Sequence, residues 1–286
     1  MKYLYFPGCS LKGTGKAYEE SLLAVFNALG IELREIEDWN CCGATAYMSV
    51  DEAKSYALAG RNLAIAERED LQIVAPCSAC YLVLNKTQQG LKDHPELRAK
   101  VVKALKAGGL DYKGTVQVRH PLDVLINDVG LDKIAARIKQ PLTGHKFAPY
   151  YGCQIVRPYA TFDDQYNPVT MNKLLAACGA QCVEYPLKTR CCGGSLTGTL
   201  PEVGLRLSYI ILNEAKKRGA EAVVTVCPLC QFNLDGYQDK MASQYGRVDM
   251  PVLYFTQILG LAMGLPASEL GIKRGIVSAQ AVMAGR

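Results

Sequence analysis

The sequence predicts an α/β protein made of two similar doubly wound domains that are related by internal duplication. Ten of its twelve cysteines form one five-residue pattern that occurs twice, and in both halves short apolar strand-like runs alternate with segments of helical periodicity. With 286 residues, 49% of them hydrophobic, the chain is long enough for two domains of roughly 150 residues. The repeat predicts a first domain over residues 1–144 and a second over residues 145–286.

The predicted elements follow the same order in both halves. Each half begins with an aromatic strand ending in Gly-Cys, followed by a helix that a glycine caps, a second strand, a pair of adjacent cysteines and another helix. The corresponding segments are residues 2–9, 18–29, 31–36 and 51–67 in the first half and residues 146–153, 171–178, 181–186 and 201–218 in the second. Short apolar runs at 72–77 and 222–227 predict buried parallel strands, and runs at 116–121 and 251–255 predict a last strand before a closing helix.

Each copy of the cysteine pattern contains a single cysteine, an adjacent pair and a Cys-x-x-Cys motif. The first copy consists of Cys9, Cys41, Cys42, Cys77 and Cys80, and the second of Cys153, Cys191, Cys192, Cys227 and Cys230. The second cysteine of the pair precedes Cys-x-x-Cys by 35 positions in both copies. Because ligands of open α/β sheets bind beyond the carboxyl ends of the strands, three loops can converge on one metal–sulfur site in each half.

Five thiolates per copy favour an iron–sulfur cluster over zinc. A cuboidal [4Fe-4S] cluster takes four thiolates, and tetrahedral zinc would also leave one of the five unused. Adjacent residues on an extended chain point in opposite directions, which suits a larger cluster better than a single ion. Zinc remains the alternative metal. Structural disulfides are disfavoured because the chain is expected in a reducing compartment.

The two remaining cysteines, Cys178 and Cys182, fall outside the repeated pattern. Aligning the two halves places them at the apolar positions of Leu29 and Leu33. Because free cysteine packs as a small hydrophobic residue, both are predicted to belong to the core, with a redox or ligand role as the alternative.

Charge and hydropathy exclude several classes of protein. The formal net charge is +5, without the Lys/Arg runs that indicate nucleic-acid binding. No signal peptide and no stretch of about 18 apolar residues for a membrane span is recognisable, so a cytoplasmic protein is expected. The sequence also lacks a ferredoxin-type cysteine run and a dinucleotide fingerprint. Electrons are therefore expected from a partner.

The repeated single cysteine, Cys-Cys-Gly and Cys-x-x-Cys resemble the paired cysteine-rich CCG domains found in the B subunits of heterodisulfide reductases. The segments 6–10, 75–77 and 118–125 also resemble segments of that family, and the resemblance covers nearly the whole chain. It implies a noncubane [4Fe-4S] cluster in each domain. Cys9, Cys41, Cys42, Cys77 and Cys80 would bind the first cluster, and Cys153, Cys191, Cys192, Cys227 and Cys230 the second.

The same resemblance implies a reaction and partners. A disulfide would be reduced between the two clusters, or a dithiol oxidised in the reverse direction, with substrate sulfur bound directly by an opened cluster iron. The substrate would be a small-molecule or protein-bound disulfide. A ferredoxin-like iron–sulfur subunit would dock on the chain and draw electrons from a flavin-containing subunit.

Basic residues near the cysteines are candidates for binding an anionic group of the substrate. They are Lys12, Lys16, Arg157, Lys188 and Arg190. The alternative is that they are solvated charges or compensate the charge of a cluster. His120, at the end of a predicted strand, is a candidate proton donor to a departing thiolate, with a hydrogen-bonded core histidine as the alternative.

Three functions are consistent with these observations. The first is the catalytic subunit of a disulfide reductase, an oxidoreductase that acts on sulfur. The second is a CCG-domain electron-transfer subunit that feeds a quinone or another acceptor, as in glycolate and lactate oxidation systems. The third is a zinc-stabilised binding module. Ten complete ligand positions favour the first, because a simple relay gains nothing from two unusual clusters.

Overall fold

A computed structural model describes residues 1–44 and 46–283 and contains two four-stranded sheets. The strands are β1 (Lys2–Tyr5), β2 (Glu32–Glu35), β3 (Ile73–Val74), β4 (Val118–Arg119), β5 (Lys146–Tyr150), β6 (Gln181–Cys182), β7 (Ala222–Thr225) and β8 (Val252–Tyr254). All neighbouring strands are parallel, and the orders β2-β1-β3-β4 and β6-β5-β7-β8 are equivalent. The predicted pair of similar doubly wound α/β domains is confirmed.

Helices connect the strands in both halves. Those of the first half are α1 (Gly8–Leu11), α2 (Lys16–Ala28), α3 (Ala46–Val50), α4 (Glu52–Ala66), α5 (Ser78–Asp93), α6 (Pro95–Ala107), α7 (Pro121–Asp123) and α8 (Leu131–Ala135), with a π-helix at Val124–Val129. Those of the second half are α9 (Thr170–Ala177), α10 (Leu196–Thr199), α11 (Pro201–Lys217), α12 (Pro228–Gly236), α13 (Gln238–Tyr245), α14 (Phe255–Ala262) and α15 (Gln280–Met283), with a 3₁₀-helix at Ile272–Arg274. The helices predicted at 51–67 and 201–218 correspond to α4 and α11.

The strand registers support the alignment of the two halves. Tyr3 pairs with Leu33 in the first sheet as Phe147 pairs with Cys182 in the second, so Cys182 takes the position of Leu33. Cys178 is fully buried, as predicted for a core residue. Cys182 is only half-buried, because it lies on an edge strand that is covered from fewer sides. The core prediction therefore holds for Cys178 and only partly for Cys182.

Contacts divide the chain into two compact units that differ from the sequence repeats. Unit 1 contains Met1–Cys9 and Gly30–Pro121, and unit 2 contains Ser10–Leu29 and Leu122–Arg286. Each sheet lies within one unit, together with its five cysteines. The boundary predicted between residues 144 and 145 describes the sequence repeat and stays a prediction.

Helix α2 belongs to the first sequence repeat but packs within unit 2. Its Tyr18 ring stacks on the ring of Tyr254, with centroids 4.4 Å apart. The hydroxyl oxygens of Ser21 and Thr256, at the start of α14, lie 2.6 Å apart. These side chains are fully buried, so the apolar face predicted for this helix is covered by α14 and the end of β8.

Candidate metal–sulfur centres

The five cysteines of the first set lie beyond the carboxyl ends of adjacent parallel strands, as the topology predicts. Cys9 lies in α1 just after β1, and Cys41 and Cys42 lie in the loop between β2 and α3. Cys77 precedes α5 as its N-cap, and Cys80 lies in the first turn of that helix. The structure therefore assembles one site from three separate loops of unit 1.

The second set repeats this arrangement in unit 2. Cys153 follows β5, the adjacent pair Cys191 and Cys192 follows β6, and Cys227 is the N-cap of α12, which carries Cys230. Because β5 lies between β6 and β7, the three loops leave the same edge of the sheet. The duplicated cysteine pattern thus becomes a duplicated arrangement in space.

Each set combines buried thiols with thiols at the surface. The buried members are Cys42, Cys77 and Cys80 in unit 1 and Cys192, Cys227 and Cys230 in unit 2. The Sγ atoms of Cys42 and Cys80 lie 3.4 Å apart, and those of Cys192 and Cys230 lie 3.5 Å apart. The exposed members are Cys9, Cys41 and Cys191, and Cys153 is half-buried.

A glycine directly before the first cysteine lets the backbone approach the buried thiols. A Cβ atom on Gly8 would lie 2.8 Å from Sγ of Cys80, and one on Gly152 would lie 3.1 Å from Sγ of Cys230. Both glycines also have φ in the left-handed region, +65° and +71°, where a side chain is strained. The repeated Gly-Cys is visible in the sequence, but this contact is not.

Contacts among the thiols shift their pKa values in opposite directions. In unit 1 the hydrogen bond with Cys41 is the main cause that lowers the pKa of Cys42, while the same contact raises the pKa of Cys41. In unit 2 the hydrogen bond with Cys153 lowers the pKa of Cys191 and raises that of Cys153. Metals bind thiolates, and in each set these contacts favour the deprotonated form of one thiol, Cys42 in unit 1 and Cys191 in unit 2.

Two side chains that sequence reasoning missed support the adjacent pair of unit 2. Nδ2 of Asn233 lies 3.4 Å from Sγ of Cys192 and donates to the carbonyl oxygen of Gly194 at 2.8 Å. The Ser208 hydroxyl donates to the carbonyl oxygen of Cys192 at 2.8 Å. The available signal was the position of Asn233, three residues after Cys-x-x-Cys on the same helix.

Ser78, next to Cys77, provides a test of whether the first site suits a cluster. Its hydroxyl is buried and has no hydrogen-bond partner among the described residues. A buried hydroxyl without a partner is costly, and cluster sulfurs accept hydrogen bonds from the protein. Five thiols, a close glycine and this hydroxyl together fit an iron–sulfur cluster.

Lys12 and Lys16 both pair with a buried carboxylate. Their Nζ atoms lie 2.7 Å and 2.5 Å from the two carboxylate oxygens of Glu19, which is 2% exposed. Burial raises the pKa of Glu19, but the hydrogen bonds from the two lysines outweigh it, so that the pKa is lowered overall. Glu19 therefore offsets the positive charge of these candidates.

The remaining basic candidates lie in unit 2. The Arg157 guanidinium donates to the carbonyl oxygen of Thr189, and its charge helps to lower the pKa of Cys191. Lys188 donates to the carbonyl oxygen of Pro168 at 2.7 Å, and burial lowers its pKa. Arg190 is exposed. The structure thus brings Arg157 near one predicted ligand and engages Lys188 with the backbone.

The backbone of Lys188 and Arg190 also shapes the second site. The carbonyl oxygen of Lys188 accepts from the backbone N–H of Gly152 at 3.0 Å. The carbonyl oxygen of Arg190 accepts from the Tyr150 hydroxyl at 2.6 Å. These bonds tie the loop before Cys191 to the turn before Cys153.

His120 is fully buried in unit 1. Its Nε2 lies 3.0 Å from the carbonyl oxygen of Pro76, directly before Cys77. Because a carbonyl can only accept, Nε2 carries the proton and donates it. The imidazole therefore holds the loop that presents Cys77. Its role as a proton donor to substrate stays a prediction.

Two kinds of feature are absent from the described part of the chain. No helix within residues 1–44 and 46–283 is long and apolar enough to cross a membrane. Over the same residues, no group of three or more His, Cys, Asp or Glu side chains is arranged to hold a single metal ion.

Comparison with known proteins places these centres in a family. The profile of the CCG cysteine-rich domain matches twice, at residues 3–85 and 147–235. The two matches together include all ten cysteines of the repeated pattern and more than half of the chain. Each match contains one complete set of five.

The fold also occurs in a solved structure. A hypothetical protein from Helicobacter pylori superposes with a TM-score of 0.80 over 97% of this chain at 14% sequence identity. This chain covers 52% of that protein. At this identity the likeness concerns the fold alone.

Three curated relatives match over nearly their whole length. The membrane anchor subunit of an 8-methylmenaquinol:fumarate reductase from Wolinella succinogenes is 36% identical, with 97% of this chain and 98% of the relative covered. A protein from Archaeoglobus profundus that is described as similar to the heterodisulfide reductase B subunit is 33% identical, with 95% of this chain and 94% of the relative covered. The B subunit of a ferredoxin:CoB-CoM heterodisulfide reductase from Methanosarcina mazei is 30% identical, with 96% of this chain and 94% of the relative covered. The chain therefore belongs to the family of heterodisulfide reductase B subunits, whose members carry two CCG cysteine-rich domains.

Proposed function

We propose that this chain is the catalytic iron–sulfur subunit of a heterodisulfide reductase-like complex, which reduces a disulfide or oxidises a dithiol. Two complete sets of five cysteines, each assembled at the carboxyl ends of three parallel strands, are the observation that carries this proposal. Each set would hold one noncubane [4Fe-4S] cluster. The domain boundary at residues 144 and 145 is proposed as the limit between the two sequence repeats.

The clusters would supply single electrons and an iron to which a substrate sulfur can bind. The protein contributes the ten thiolates, the close glycines Gly8 and Gly152, and hydrogen-bond donors around the sulfurs. Lys12, Arg157, Lys188 and Arg190 remain proposals for binding an anionic substrate. Of these, Arg157 has the most direct support, because its charge already acts on Cys191.

A second candidate function is electron transfer between a partner and a quinone. The observation in its favour is the Wolinella succinogenes relative, which is named for a reaction with 8-methylmenaquinol and matches nearly end to end. In this case the clusters would relay electrons without breaking a sulfur–sulfur bond. The cysteine sets are compatible with both functions.

The proposed partners are a ferredoxin-like iron–sulfur subunit and a flavin-containing subunit. Two observations support them: the sequence has no dinucleotide fingerprint of its own, and the Methanosarcina mazei relative is named as one subunit of a ferredoxin-linked enzyme. We propose the cytoplasm as the compartment, because free thiols at ligand spacing persist in a reducing environment.

Metal analysis and paramagnetic resonance test the proposed function. We expect about eight irons and eight sulfides per chain, since each of two sites holds four of each. Oxidation in the presence of a dithiol should give a paramagnetic signal that is absent when the same compound carries S-methyl groups. Zinc in place of iron would contradict both functions, and iron without a thiol-dependent signal would favour electron transfer to a quinone.

Replacement of His120 by Asn tests its proposed role in proton transfer. If His120 donates a proton to the departing thiolate, disulfide turnover should fall and its pH profile should change. Iron content is the control, because a variant that only disturbs the loop of Cys77 should lose iron, whereas a variant that only lacks the proton donor should keep it. Unchanged turnover across the pH range would show that His120 only holds the loop.

A further inference from the structure

A cavity of about 330 Å³ lies between α4 and α6 in unit 1. We call it the α4–α6 cavity. Its apolar walls include Ala57, Leu58, Leu105 and Leu110. The volume falls in the range of small-molecule pockets, about 300–1,000 Å³. The five cysteines do not line the cavity, so it is a second candidate site besides the thiol set.

Polar residues occupy only part of the cavity wall. They are Tyr47, Lys54 and Arg61, and no carboxylate occurs among the described lining residues. Lys54 pairs with Asp51 at 2.9 Å and has further N–H groups available. Arg61 likewise pairs with the carboxylate of Asp38 at 2.5 Å, so both positive charges are compensated. Hydrogen-bond donors beside an apolar slot therefore suit a neutral ring with carbonyl oxygens.

The wall of the cavity is connected to the loop of the first cysteine pair. A Cβ atom on Gly43, directly after Cys42, would lie 3.7 Å from Cδ1 of Leu58. A ligand that touches Leu58 from the cavity side is therefore about one side chain away from the Cys41–Cys42 loop.

Arg61 strengthens this connection through hydrogen bonds. Its guanidinium donates to the carbonyl oxygen of Asp38 at 2.6 Å and to Oδ1 of Asn40 at 3.1 Å. Nδ2 of Asn40 in turn donates to the carbonyl oxygen of Cys41 at 2.7 Å. One lining residue thus belongs to the same hydrogen-bonded network as a predicted cluster ligand.

We propose that the α4–α6 cavity binds the ring of a quinone next to the first metal–sulfur centre. The proposal rests on the quinone-linked function named above as the second candidate. Quinone carbonyl oxygens can accept from Tyr47, Lys54 or Arg61, while the ring contacts the leucine and alanine side chains. The location beside the Cys41–Cys42 loop gives the ring a short route for electrons to or from that centre.

A fluorescent quinol analogue, 2-heptyl-4-hydroxyquinoline N-oxide, tests the site in the iron-loaded chain. We expect saturable quenching of the probe at one molecule per chain, and displacement by a soluble naphthoquinone. Ala104→Trp, at an exposed lining position on α6, should weaken probe binding at least about tenfold because the indole fills space that the ring needs. Tyr47→Phe should weaken it less, because it removes a single donor.

Ala99→Trp is the matched control, since Ala99 is exposed on the same helix but does not line the cavity. It should bind the probe like the unmodified chain, and all variants should keep their iron. Unchanged binding in Ala104→Trp, equal loss in Ala99→Trp, or displacement by an aliphatic disulfide in place of the naphthoquinone would overturn the proposal. If the unmodified chain shows no quinone turnover, but binds the probe and loses this binding in Ala104→Trp, the quinone-linked function is contradicted and the proposed binding site is not.

Discussion

The residue three positions after Cys80 in unit 1 is Val83, whereas the residue three positions after Cys230 in unit 2 is Asn233. The side-chain amide of Asn233 lies near Sγ of Cys192, a predicted ligand, and a valine has no N–H group to offer there. The two sites therefore keep the same thiols and differ in the groups that surround them. In the sequence, the two repeats thus share the five cysteines and differ at the neighbouring positions.

A second difference lies within the Cys-x-x-Cys motifs themselves. Ser78 follows Cys77 and brings a buried hydroxyl to the first site, whereas Pro228 follows Cys227 and brings no donor. The thiol with the lowered pKa also differs: it is Cys42 in unit 1 and Cys191 in unit 2, where Arg157 contributes to the shift. Because hydrogen bonds and charge near the sulfurs set cluster potentials, two clusters in these sites should differ in potential.

The largest expected effect comes from removing one buried ligand from either site. Cys42→Ser and Cys192→Ser should each lower the iron content from about eight to about four per chain, if each site holds the proposed four-iron cluster. Iron analysis of the purified variants measures this directly. Cys178→Ala is the control, since this core cysteine lies outside both sets and its loss should leave about eight irons. Equal iron loss in the control would contradict the assignment of the ligands.

The next largest effect is expected at Gly8 and Gly152, the glycines that lie close to a cysteine sulfur in each site. Gly8→Ala should impair loading of the first site more than Gly152→Ala impairs the second, because the added Cβ would lie 2.8 Å from sulfur in one case and 3.1 Å in the other. Gly30→Ala is the matched control: it has a similar φ of +72° with nothing within 4 Å of the added atom. It should cost about 1–2 kcal/mol of stability from backbone strain and no iron. Equal iron contents in all three variants would show that the glycines serve only the backbone.

Asn233→Val gives the second site the valine that the first site has at the equivalent position, Val83. Loss of the donor should lower the reduction potential of the second cluster by up to roughly 40 mV, the one-electron equivalent of a hydrogen bond of about 1 kcal/mol. A redox titration followed by paramagnetic resonance measures the shift. Ser208→Ala is the control, because that hydroxyl donates to the carbonyl oxygen of Cys192 and not to its sulfur. A shift of the first cluster alone would contradict this explanation.

The smallest expected effect concerns Ser78. If its hydroxyl donates to the first cluster, Ser78→Ala should lower the potential of that cluster by a few tens of millivolts at most, roughly the equivalent of about 1 kcal/mol, and leave the second unchanged. In the cluster-free chain the same substitution should be neutral or slightly stabilising, because the hydroxyl has no partner there among the described residues. Destabilisation of the cluster-free chain by Ser78→Ala would indicate a partner within the protein instead.

The elements that the sequence predicted well are those with strong local patterns. The apolar run that became β7, and the helices that became α4 and α11, were predicted to within a few residues, because period and β-type composition are local properties. Strand β3 lies where it was predicted but is shorter, with only Ile73–Val74 in the ladder. The edge strand β6 is much shorter than the predicted segment, with only Gln181–Cys182 in the ladder. Its length depends on pairing with β5, which no local pattern contains.

The basic and titratable candidates depended on distant contacts. The pair Lys16–Glu19 is an i,i+3 contact that helical spacing allows, but the burial of Glu19 depends on how α2 packs in unit 2. No local pattern indicated that His120 donates to the carbonyl oxygen of Pro76, since these two residues come together only when β3 and β4 pair. The contacts and burial of these side chains depend on tertiary packing, whereas their residue types are read directly from the sequence.

By itself, the sequence determined the duplicated α/β architecture and the grouping of ten cysteines into two sets of five, because spacing along alternating strands and helices dictates which loops reach the same sheet edge. Only the tertiary structure decided that α2 packs with unit 2, that Gly8 and Gly152 approach sulfur, and that Asn233 and Ser78 distinguish the two sites. Those features depend on distances of a few ångströms between residues far apart in the chain. Such distances arise only when the side chains pack.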